Sequence, residues 1–332
     1  MTDLSKGRIL VTGGAGFIGS ALVWALNQRG IENILVCDVL GRNEKWKNLV
    51  PLRFADYLEA DELPARLSGD IRAIFHLGAC SSTTETDASY LIRNNFEYTK
   101  TLAHFALENN CRFVYASSAA TYGSLADRIS ESLPLQKLRP LNMYGYSKHL
   151  FDCYAQRAGI LDRITGLKYF NVFGPNEYHK GDMRSVVHKA FQEIRATGKV
   201  SLFKSYWPEY TDGGQQRDFL YVKDAVAATL FLAEHVEGGG LFNVGSGEPN
   251  TWVSLVKPIF SDEPKIEFID MPETLRPKYQ YYTCADVSKL RATGFTQPFT
   301  PLADSVSDYV KNYLLPGRHL GNEPAEVPTP ER

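Results

Sequence analysis

The glycine pattern Gly14-x-Gly16-x-x-Gly19 constrains the fold of this 332-residue chain more than any other feature. Residues 9–11 before it form an apolar run typical of a buried strand, and residues 17–26 after it have the pattern of a helix. A glycine turn between strand and helix lets the backbone approach a pyrophosphate, and the helix start offers it unpaired N–H groups. Asp38 ends the next strand, where an acid usually holds the adenosine ribose. These features predict a dinucleotide-binding unit.

Strand and helix patterns then alternate, with further strands predicted at residues 34–37, 52–54, 73–77, 113–116 and 167–172. This alternation predicts an α/β fold, a doubly wound parallel-sheet Rossmann fold, with a smaller mixed α/β substrate-binding domain. We expect the NADP-binding domain to comprise residues 1–172 and 220–247, and the substrate-binding domain to comprise residues 173–219 and 248–315. Residues 316–332 are rich in Pro, Glu and Gly, and we expect them to form a disordered tail.

Composition excludes several classes of function. The net charge is −2 with Lys and Arg scattered, which argues against nucleic acid as a partner. No apolar run approaches the ~18 residues that would cross a bilayer, and the first residues lack the apolar segment of a signal peptide. The five cysteines are widely spread without metal-ligand spacing, so we expect no metal site and free thiols in a reducing cytoplasm.

The segment Tyr144-x-x-x-Lys148 opens a helix predicted to reach about residue 158. Residues four apart share one helix face, and an ammonium beside a phenol favours the phenolate. The spacing therefore predicts a tyrosine whose pKa moves from about 10 towards a usable base. Ser118, at the end of a predicted strand, supplies a hydroxyl that can share the substrate proton.

Other polar residues leave alternatives open. Arg42, Lys45 and Lys47 follow Asp38 and favour NADP, with NAD as the alternative and a solvated basic loop as the simpler interpretation. Cys80 has no base beside it in the sequence and is interpreted as a small packing residue. Either Asn94 or Asn95 can brace the catalytic region from behind, or lie on the surface.

The set Gly13-x-x-Gly16-x-x-Gly19, Ser118 and Tyr144-x-x-x-Lys148 resembles the extended short-chain dehydrogenase/reductase superfamily. Residues 78–85, 116–123, 170–175, 179–181 and 217–219 resemble, more specifically, the family of ADP-L-glycero-D-manno-heptose 6-epimerases, over essentially residues 8–312. That resemblance implies a cytoplasmic isomerase, a homo-oligomer with tightly bound NADP that inverts carbon 6 of ADP-heptose by transient oxidation. The product serves lipopolysaccharide core biosynthesis.

The resemblance also implies residue roles. Tyr144 is the expected acid/base, Lys148 the ligand of the nicotinamide ribose and Ser118 the group that polarises the reacting oxygen. Lys180 is the expected second acid/base, or alternatively an anchor. The implied cofactor contacts are Gly13, Gly16, Phe17, Ile18, Gly19, Asp38, Val39, Lys45, Leu77, Gly78, Ala79, Cys80, Ser81, Asn94, Lys148, Val172 and Lys180. The implied substrate contacts are Ser81, Asn171, Asp182, Lys189, Phe203, Lys204, Ser205, Tyr206, Arg217 and Tyr279.

Competing interpretations remain at this stage. Arg217 suits a diphosphate because its guanidinium is bidentate, or it forms a structural ion pair with Asp218 or Asp224. A UDP-hexose 4-epimerase shares the same pattern, whereas a nucleotide-sugar 4,6-dehydratase usually has an Asp-Glu pair that residues 118–120 lack. A non-catalytic NAD(P)-binding module commonly loses the tyrosine or the lysine, and this chain keeps both.

Overall fold

A seven-stranded sheet forms the centre of the computed structural model, which describes residues 1–125, 128–273, 275–276 and 279–322. Every neighbouring pair in this sheet is parallel. The predicted doubly wound α/β fold is therefore confirmed. Its strands are β1 (Arg8–Thr12), β2 (Ile34–Asp38), β3 (Asp56–Glu59), β4 (Ile71–His76), β5 (Arg112–Ser118), β7 (Thr165–Tyr169) and β11 (Gly240–Val244), in the spatial order β11-β7-β5-β4-β1-β2-β3.

Three smaller sheets lie outside the central one. One pairs β6 (Arg128–Ile129) with β14 (Cys284–Ala285), and another pairs β9 (Val200–Phe203) with β13 (Ile266–Ile269). In the third, β10 (Gln216–Tyr221) lies between β8 (Asn171–Phe173) and β12 (Pro249–Thr251). The α-helices are α1 (Phe17–Gln28), α2 (Leu63–Arg66), α3 (Ala88–Leu91), α4 (Tyr98–Glu108), α5 (Met143–Arg157), α6 (Val186–Thr197), α7 (Val222–His235), α8 (Trp252–Val256), α9 (Ser288–Ala292) and α10 (Leu302–Asp308).

Alternation along the strands explains why both faces of the sheet are covered. Ile9 and Val11 of β1 belong to a core that includes α1 and α7, whereas Leu10 belongs to a second core that includes α4 and α5. Successive strand residues point to opposite faces, so a strand that is apolar throughout requires helices on both sides. All of β2 and β7 is buried in this way.

Two predicted strands are wrong in their bounds. The third strand does not lie at residues 52–54, where the Leu52 amide donates to the Leu49 carbonyl and closes a turn. The ladder with β2 begins only when the Ala55 amide donates to the Ile34 carbonyl, so β3 is Asp56–Glu59. The apolar run after residue 167 is divided, because β7 pairs with β5 while β8 pairs with β10 in another sheet.

The expected tail from Pro316 onward is wrong for residues 316–322. Leu320 is completely buried, and its amide donates to Asn176 Oδ1 at 3.0 Å. The Tyr178 hydroxyl donates to the Arg318 carbonyl at 2.7 Å. The high content of Pro, Glu and Gly suggested disorder. One buried leucine and the hydrogen bonds of the backbone groups nevertheless hold this segment in place. The rest of the predicted tail, residues 323–332, lies outside the described residues.

The predicted division into two domains remains a prediction. Within the described part of the chain, we find no helix with the length and apolar character needed to traverse a bilayer.

Candidate active site

The glycine turn lies between β1 and α1, directly against the loop that follows β4. Gly13 has φ +67°, and a Cβ there would stand 2.6 Å from the Gly78 amide nitrogen. A Cβ on Gly19 would collide with the Gly13 carbonyl oxygen. Only glycine fits at these two positions, and the bare backbone and the start of α1 are then open to an anionic ligand. The turn therefore fits the phosphates of a dinucleotide.

Three adjoining cavities open beside this turn. The glycine-turn cavity, of about 400 Å³, extends from Gly13 to Lys180. The Asp38 cavity, of about 300 Å³, continues from it towards Asn94. The Tyr144 cavity, of about 190 Å³, shares Phe17 and Lys180 with the first. Every residue predicted to contact the cofactor lines at least one of them: Gly13, Gly16, Phe17, Ile18, Gly19, Asp38, Val39, Lys45, Leu77, Gly78, Ala79, Cys80, Ser81, Asn94, Lys148, Val172 and Lys180.

Asp38 is held by groups from both sides of the cavity. Its Oδ2 accepts a hydrogen bond from the Ala15 amide at 2.9 Å, and its Oδ1 accepts from the Val39 amide at 2.7 Å. The Lys45 ammonium also donates to Oδ1, at 2.6 Å. This carboxylate thus ties the glycine turn to the segment after β2 and keeps one cation at the cavity wall.

The predicted catalytic residues come together in the Tyr144 cavity. Tyr144 and Lys148 project from the same face of α5, whose N-terminus is capped by the Asn142 side chain. Ser118 lines the same cavity as the Tyr144 phenol, and its Oγ accepts the Ala120 amide at 3.1 Å. The end of β5 and the start of α5 therefore bring a phenol, a hydroxyl and an ammonium to one cavity.

The predicted direction of the Tyr144 pKa shift is wrong for this structure. Burial raises the pKa of Tyr144 above its usual 10, and the Ser118 hydrogen bond only partly opposes it. Burial also lowers the pKa of Lys148 to about 8. Desolvation disfavours the charged form of both groups. A cationic ligand beside the phenol would favour its phenolate.

Lys180 lies where the glycine-turn cavity meets the Tyr144 cavity. Its Nζ is 5.2 Å from the centre of the Phe17 ring. Burial lowers the pKa of Lys180, while the nearby Glu177 carboxylate opposes the shift. An ammonium with a lowered pKa in a shared cavity has the properties of a proton-transfer group.

A buried ion pair that sequence reasoning missed lies beneath the catalytic helix. Asp152 of α5 and Lys168 of β7 are both fully buried, and Lys168 Nζ donates to Asp152 Oδ2 at 2.7 Å. Asp152 also accepts from the hydroxyls of Tyr115 at 2.9 Å and Ser117 at 2.8 Å. Lys168 additionally donates to Thr121 Oγ1 at 2.6 Å. The only signal in the sequence was Asp152, placed four residues after Lys148 on the same helix face.

Asn95, and not Asn94, braces the catalytic region from behind. Its Oδ1 accepts the Cys80 amide at 2.9 Å, and its Nδ2 donates to the Cys80 carbonyl at 2.9 Å and to Ser147 Oγ at 3.0 Å. Asn95 lies in a π-helical turn, Ile92–Glu97, between α3 and α4. Asn94 instead lines the Asp38 cavity. Cys80 is a free thiol at the cavity wall, and its backbone makes the contacts to Asn95.

The predicted substrate residues divide into two groups. Ser81 lines the Tyr144 cavity. Arg217, Phe203 and Tyr279 belong to an aromatic cluster, in which the Tyr279 ring lies 6.3 Å from that of Phe203 and 5.3 Å from the Arg217 guanidinium. Near it, Lys204 pairs with Asp270, the Tyr206 hydroxyl donates to Asp270, and the Ser205 hydroxyl donates to the Trp207 carbonyl.

The remaining predicted substrate residues stay apart from both groups. Asp182 and Lys189 are exposed and line none of the three cavities. Asn171 is exposed, and its Nδ2 donates to the Asp218 carbonyl at 3.1 Å. The structure therefore does not bring these three side chains to the catalytic cavity.

Arg217 is a buried cation without a carboxylate partner among the described residues. It is only 8% exposed, and its guanidinium donates to the carbonyls of Gln216 and Gln280. Asp218 instead accepts amides from the Ser246–Gly247 turn and from Ala285, and Asp224 accepts from Thr300. The alternative of a structural ion pair with Asp218 or Asp224 is therefore wrong.

The family follows from a direct comparison with known proteins. Residues 9–245 match the model of the NAD dependent epimerase/dehydratase family, so the chain belongs to that family and uses a nicotinamide cofactor. A protein of Nitratidesulfovibrio vulgaris (strain DP4), named ADP-L-glycero-D-manno-heptose-6-epimerase, is 52% identical over 92% of this chain and 97% of its own length. A Fusobacterium nucleatum protein of the same name is 43% identical, over 92% and 98%.

A solved structure agrees with these relatives. The crystal structure of Helicobacter pylori ADP-L-glycero-D-manno-heptose-6-epimerase superposes with a TM-score of 0.79 at 26% identity, covering 93% of this chain and 97% of that one. Because these relatives are epimerases, the chain is an isomerase, as the sequence predicted.

Proposed function

We propose that this protein is an ADP-L-glycero-D-manno-heptose 6-epimerase that inverts carbon 6 through a transient ketone. The observation that carries the proposal is that two proton-transfer groups, Tyr144 and Lys180, line one cavity beside the glycine turn. Relatives of that name match the chain over nearly its whole length at 43–52% identity, which supports the choice of substrate.

The two groups have separate tasks in the proposed mechanism. A bound nicotinamide supplies the site that accepts hydride from carbon 6 and later returns it. Tyr144, as phenolate, takes the proton of the carbon 6 hydroxyl, and Ser118 holds that oxygen by a hydrogen bond. The sugar then turns so that its other face receives the hydride. One fixed phenol cannot serve both orientations equally, so in the second orientation the Lys180 ammonium would give its proton to the carbon 6 oxygen. Transfer of the proton on Tyr144 to Lys180 through solvent would then restore both groups.

NADP is the proposed cofactor. Lys45 forms an ion pair with Asp38 at 2.6 Å, and this pair keeps an ammonium at the cavity wall where a 2′-phosphate would meet it. His179 lines the same cavity, and burial lowers its pKa to about 4, so the imidazole is neutral and can donate or accept a hydrogen bond there. NAD is the alternative that binding measurements distinguish.

Arg217 is the proposed ligand of the substrate diphosphate. Its charge is buried against two aromatic rings and carbonyl oxygens, with no carboxylate to neutralise it in the described part of the chain. Such a cation favours an anionic ligand, and guanidinium geometry suits phosphate oxygens. The other substrate contacts proposed from the family resemblance are Ser81, Asn171, Asp182, Lys189, Phe203, Lys204, Ser205, Tyr206 and Tyr279.

The decisive experiment incubates the purified enzyme with ADP-D-glycero-D-manno-heptose and follows the carbon 6 proton by NMR. We expect conversion to the L-glycero epimer without added oxidant or reductant. Tyr144→Phe and Lys180→Met should each lose about 10²–10⁴-fold in rate while they retain NADP. If both variants keep near-normal turnover, the two-base mechanism is wrong, and epimerisation of UDP-galactose instead would overturn the substrate.

The proposal includes the cellular setting. We propose that the enzyme works in the cytoplasm as a homo-oligomer. Its cysteines form no disulfide in the described part of the chain, in keeping with a reducing compartment. Sedimentation of the purified protein tests the oligomer, and cell fractionation tests the location.

A further inference from the structure

Residues 318–320, which we call the terminal segment, contact Tyr178, Asn48 and Asn176, which lie behind the residues that line the glycine-turn cavity. Leu320 is completely buried, and the His319 ring meets the Tyr178 ring edge to face at 4.9 Å. The Tyr178 hydroxyl donates to the Arg318 carbonyl at 2.7 Å. Tyr178 lies two residues before Lys180, so this contact reaches the turn that carries the second proposed acid/base.

Asn48 connects the terminal segment to the glycine turn. Its side chain is 1% exposed, and its Nδ2 donates to the carbonyls of Ala15 and Asn176, each at 3.0 Å. Its Oδ1 lies 2.8 Å from His319 Nδ1. An amide oxygen only accepts, so Nδ1 carries the proton in this bond. His319 thus provides the hydrogen-bond partner for Asn48 Oδ1, while Asn48 Nδ2 connects the glycine turn at Ala15 to the segment at Asn176.

Asn176 makes the second connection. It adopts φ +77°, a conformation that asparagine tolerates better than most residues, and it is completely buried. Its Oδ1 accepts the Leu320 amide at 3.0 Å, and its Nδ2 donates to Ser20 Oγ of α1 at 3.0 Å. The terminal segment therefore reaches, through one asparagine each, both the glycine turn and the helix behind it.

We propose that the terminal segment is a positioning element that fixes the spacing between the glycine turn and the turn carrying His179 and Lys180. Residues of both turns line one cavity. Two buried asparagines hold them together, and each asparagine needs a group from residues 319–320 to satisfy its side-chain oxygen. Loss of that group leaves a buried polar atom unpaired or the turns free to separate. Both outcomes weaken the hold on the cofactor.

His319→Ala tests the proposal by cofactor affinity, which requires no sugar substrate. Loss of one buried hydrogen bond should raise the Kd for NADP about tenfold and speed its release correspondingly. Titration calorimetry on cofactor-stripped protein measures the Kd, and NAD is titrated in parallel so that the result does not depend on cofactor preference. Added NADP should restore epimerase activity to His319→Ala.

The matched control is His235→Ala, since His235 is exposed at the end of α7 and its ring bonds the Phe231 carbonyl of the same helix. It should leave both Kd values unchanged even if it lowers the unfolding midpoint. Tyr178→Phe removes one hydroxyl, keeps the ring, and should raise the Kd about threefold. If His319→Ala does not fold, the Kd of Tyr178→Phe tests the proposal instead. A Kd within twofold of wild type for the folded His319→Ala, or failing that an unchanged Kd for Tyr178→Phe, overturns the proposal.

Discussion

Lys168→Met should be the most destabilising simple substitution beneath the active site. Methionine matches the length of lysine and fills its space, so the change removes charge and hydrogen bonds rather than volume. Asp152 then keeps the hydroxyls of Tyr115 and Ser117 and loses the ammonium with which it forms its ion pair, in a place with no exposed surface. An uncompensated buried charge typically costs 3–5 kcal/mol, and two remaining donors place the expected loss near the lower end, at about 3 kcal/mol.

That loss is measurable by thermal unfolding. With an unfolding entropy of roughly 2.1 cal/mol/K per residue, about 3 kcal/mol corresponds to a decrease in Tm of roughly 4 °C for this chain. Lys6→Met is the control, since Lys6 forms an exposed pair with Asp3 and should leave the midpoint nearly unchanged.

A double substitution separates charge from packing. Asp152→Asn combined with Lys168→Met removes the stranded carboxylate and should be more stable than Lys168→Met alone, by about 1–2 kcal/mol. The reasoning is refuted if Lys168→Met costs less than about 1 kcal/mol. It is also refuted if the double variant is no more stable than the single one.

Three further predictions concern protonation and ligands. Burial lowers the pKa of His76 to about 3, whereas in the unfolded chain the pKa is near 6.5. Between these values the unfolded chain binds a proton on His76 and the folded chain does not, so the free energy of unfolding falls as the pH falls. The expected loss is about 2 kcal/mol at pH 5 relative to pH 7. Urea unfolding of wild type and His76→Gln at pH 7 and 5 checks this, and equal losses in both would contradict it. Arg217→Met should weaken binding of ADP about 10–100-fold by calorimetry, whereas the surface variant Arg195→Met should not, and equal affinities would remove Arg217 from the diphosphate site. Lys45→Met should raise the Kd for NADP about tenfold and change the Kd for NAD little. The control is Lys47→Met, which should alter neither Kd because Lys47 pairs with the exposed Glu44. If Lys45→Met raises both Kd values equally, Lys45 does not contact the 2′-phosphate.

Local patterns predicted the fold, and they predicted that Tyr144, Lys148 and Ser118 would lie together, because both kinds of signal depend on residues close in sequence. The glycine turn is recognisable because its glycines bring β1 and α1 close together within a few residues of sequence. Tyr144 and Lys148 share one face of a single helix. Both signals lie within a few residues of sequence, so no tertiary information was needed.

The parts that sequence reasoning missed depend on distant partners. Asp152 and Lys168 meet only because β7 lies beside β5, and neither residue type is expected in a core without knowledge of that pairing. The direction of the Tyr144 pKa shift was wrong for the same reason, since the spacing to Lys148 is visible in the sequence and the degree of burial is not. Residues 316–322 look disordered by composition, yet Leu320 finds a buried site.

The wide turn at Ile92–Glu97 has a consequence for any alignment of this helix. A π turn holds one residue more than the α-helical path it replaces, so the positions before and after it are out of phase by about 100°. On a uniform helical wheel Asn95 falls about 20° from Leu102, seven positions later, so the wheel alone does not reveal the wide turn. Deleting one residue within Ile92–Glu97 would replace this turn by the shorter α-helical path and change the orientation of the side chains inside it, Asn95 among them. A change in length at this point therefore changes the support that Asn95 gives to the backbone of the Cys80 loop.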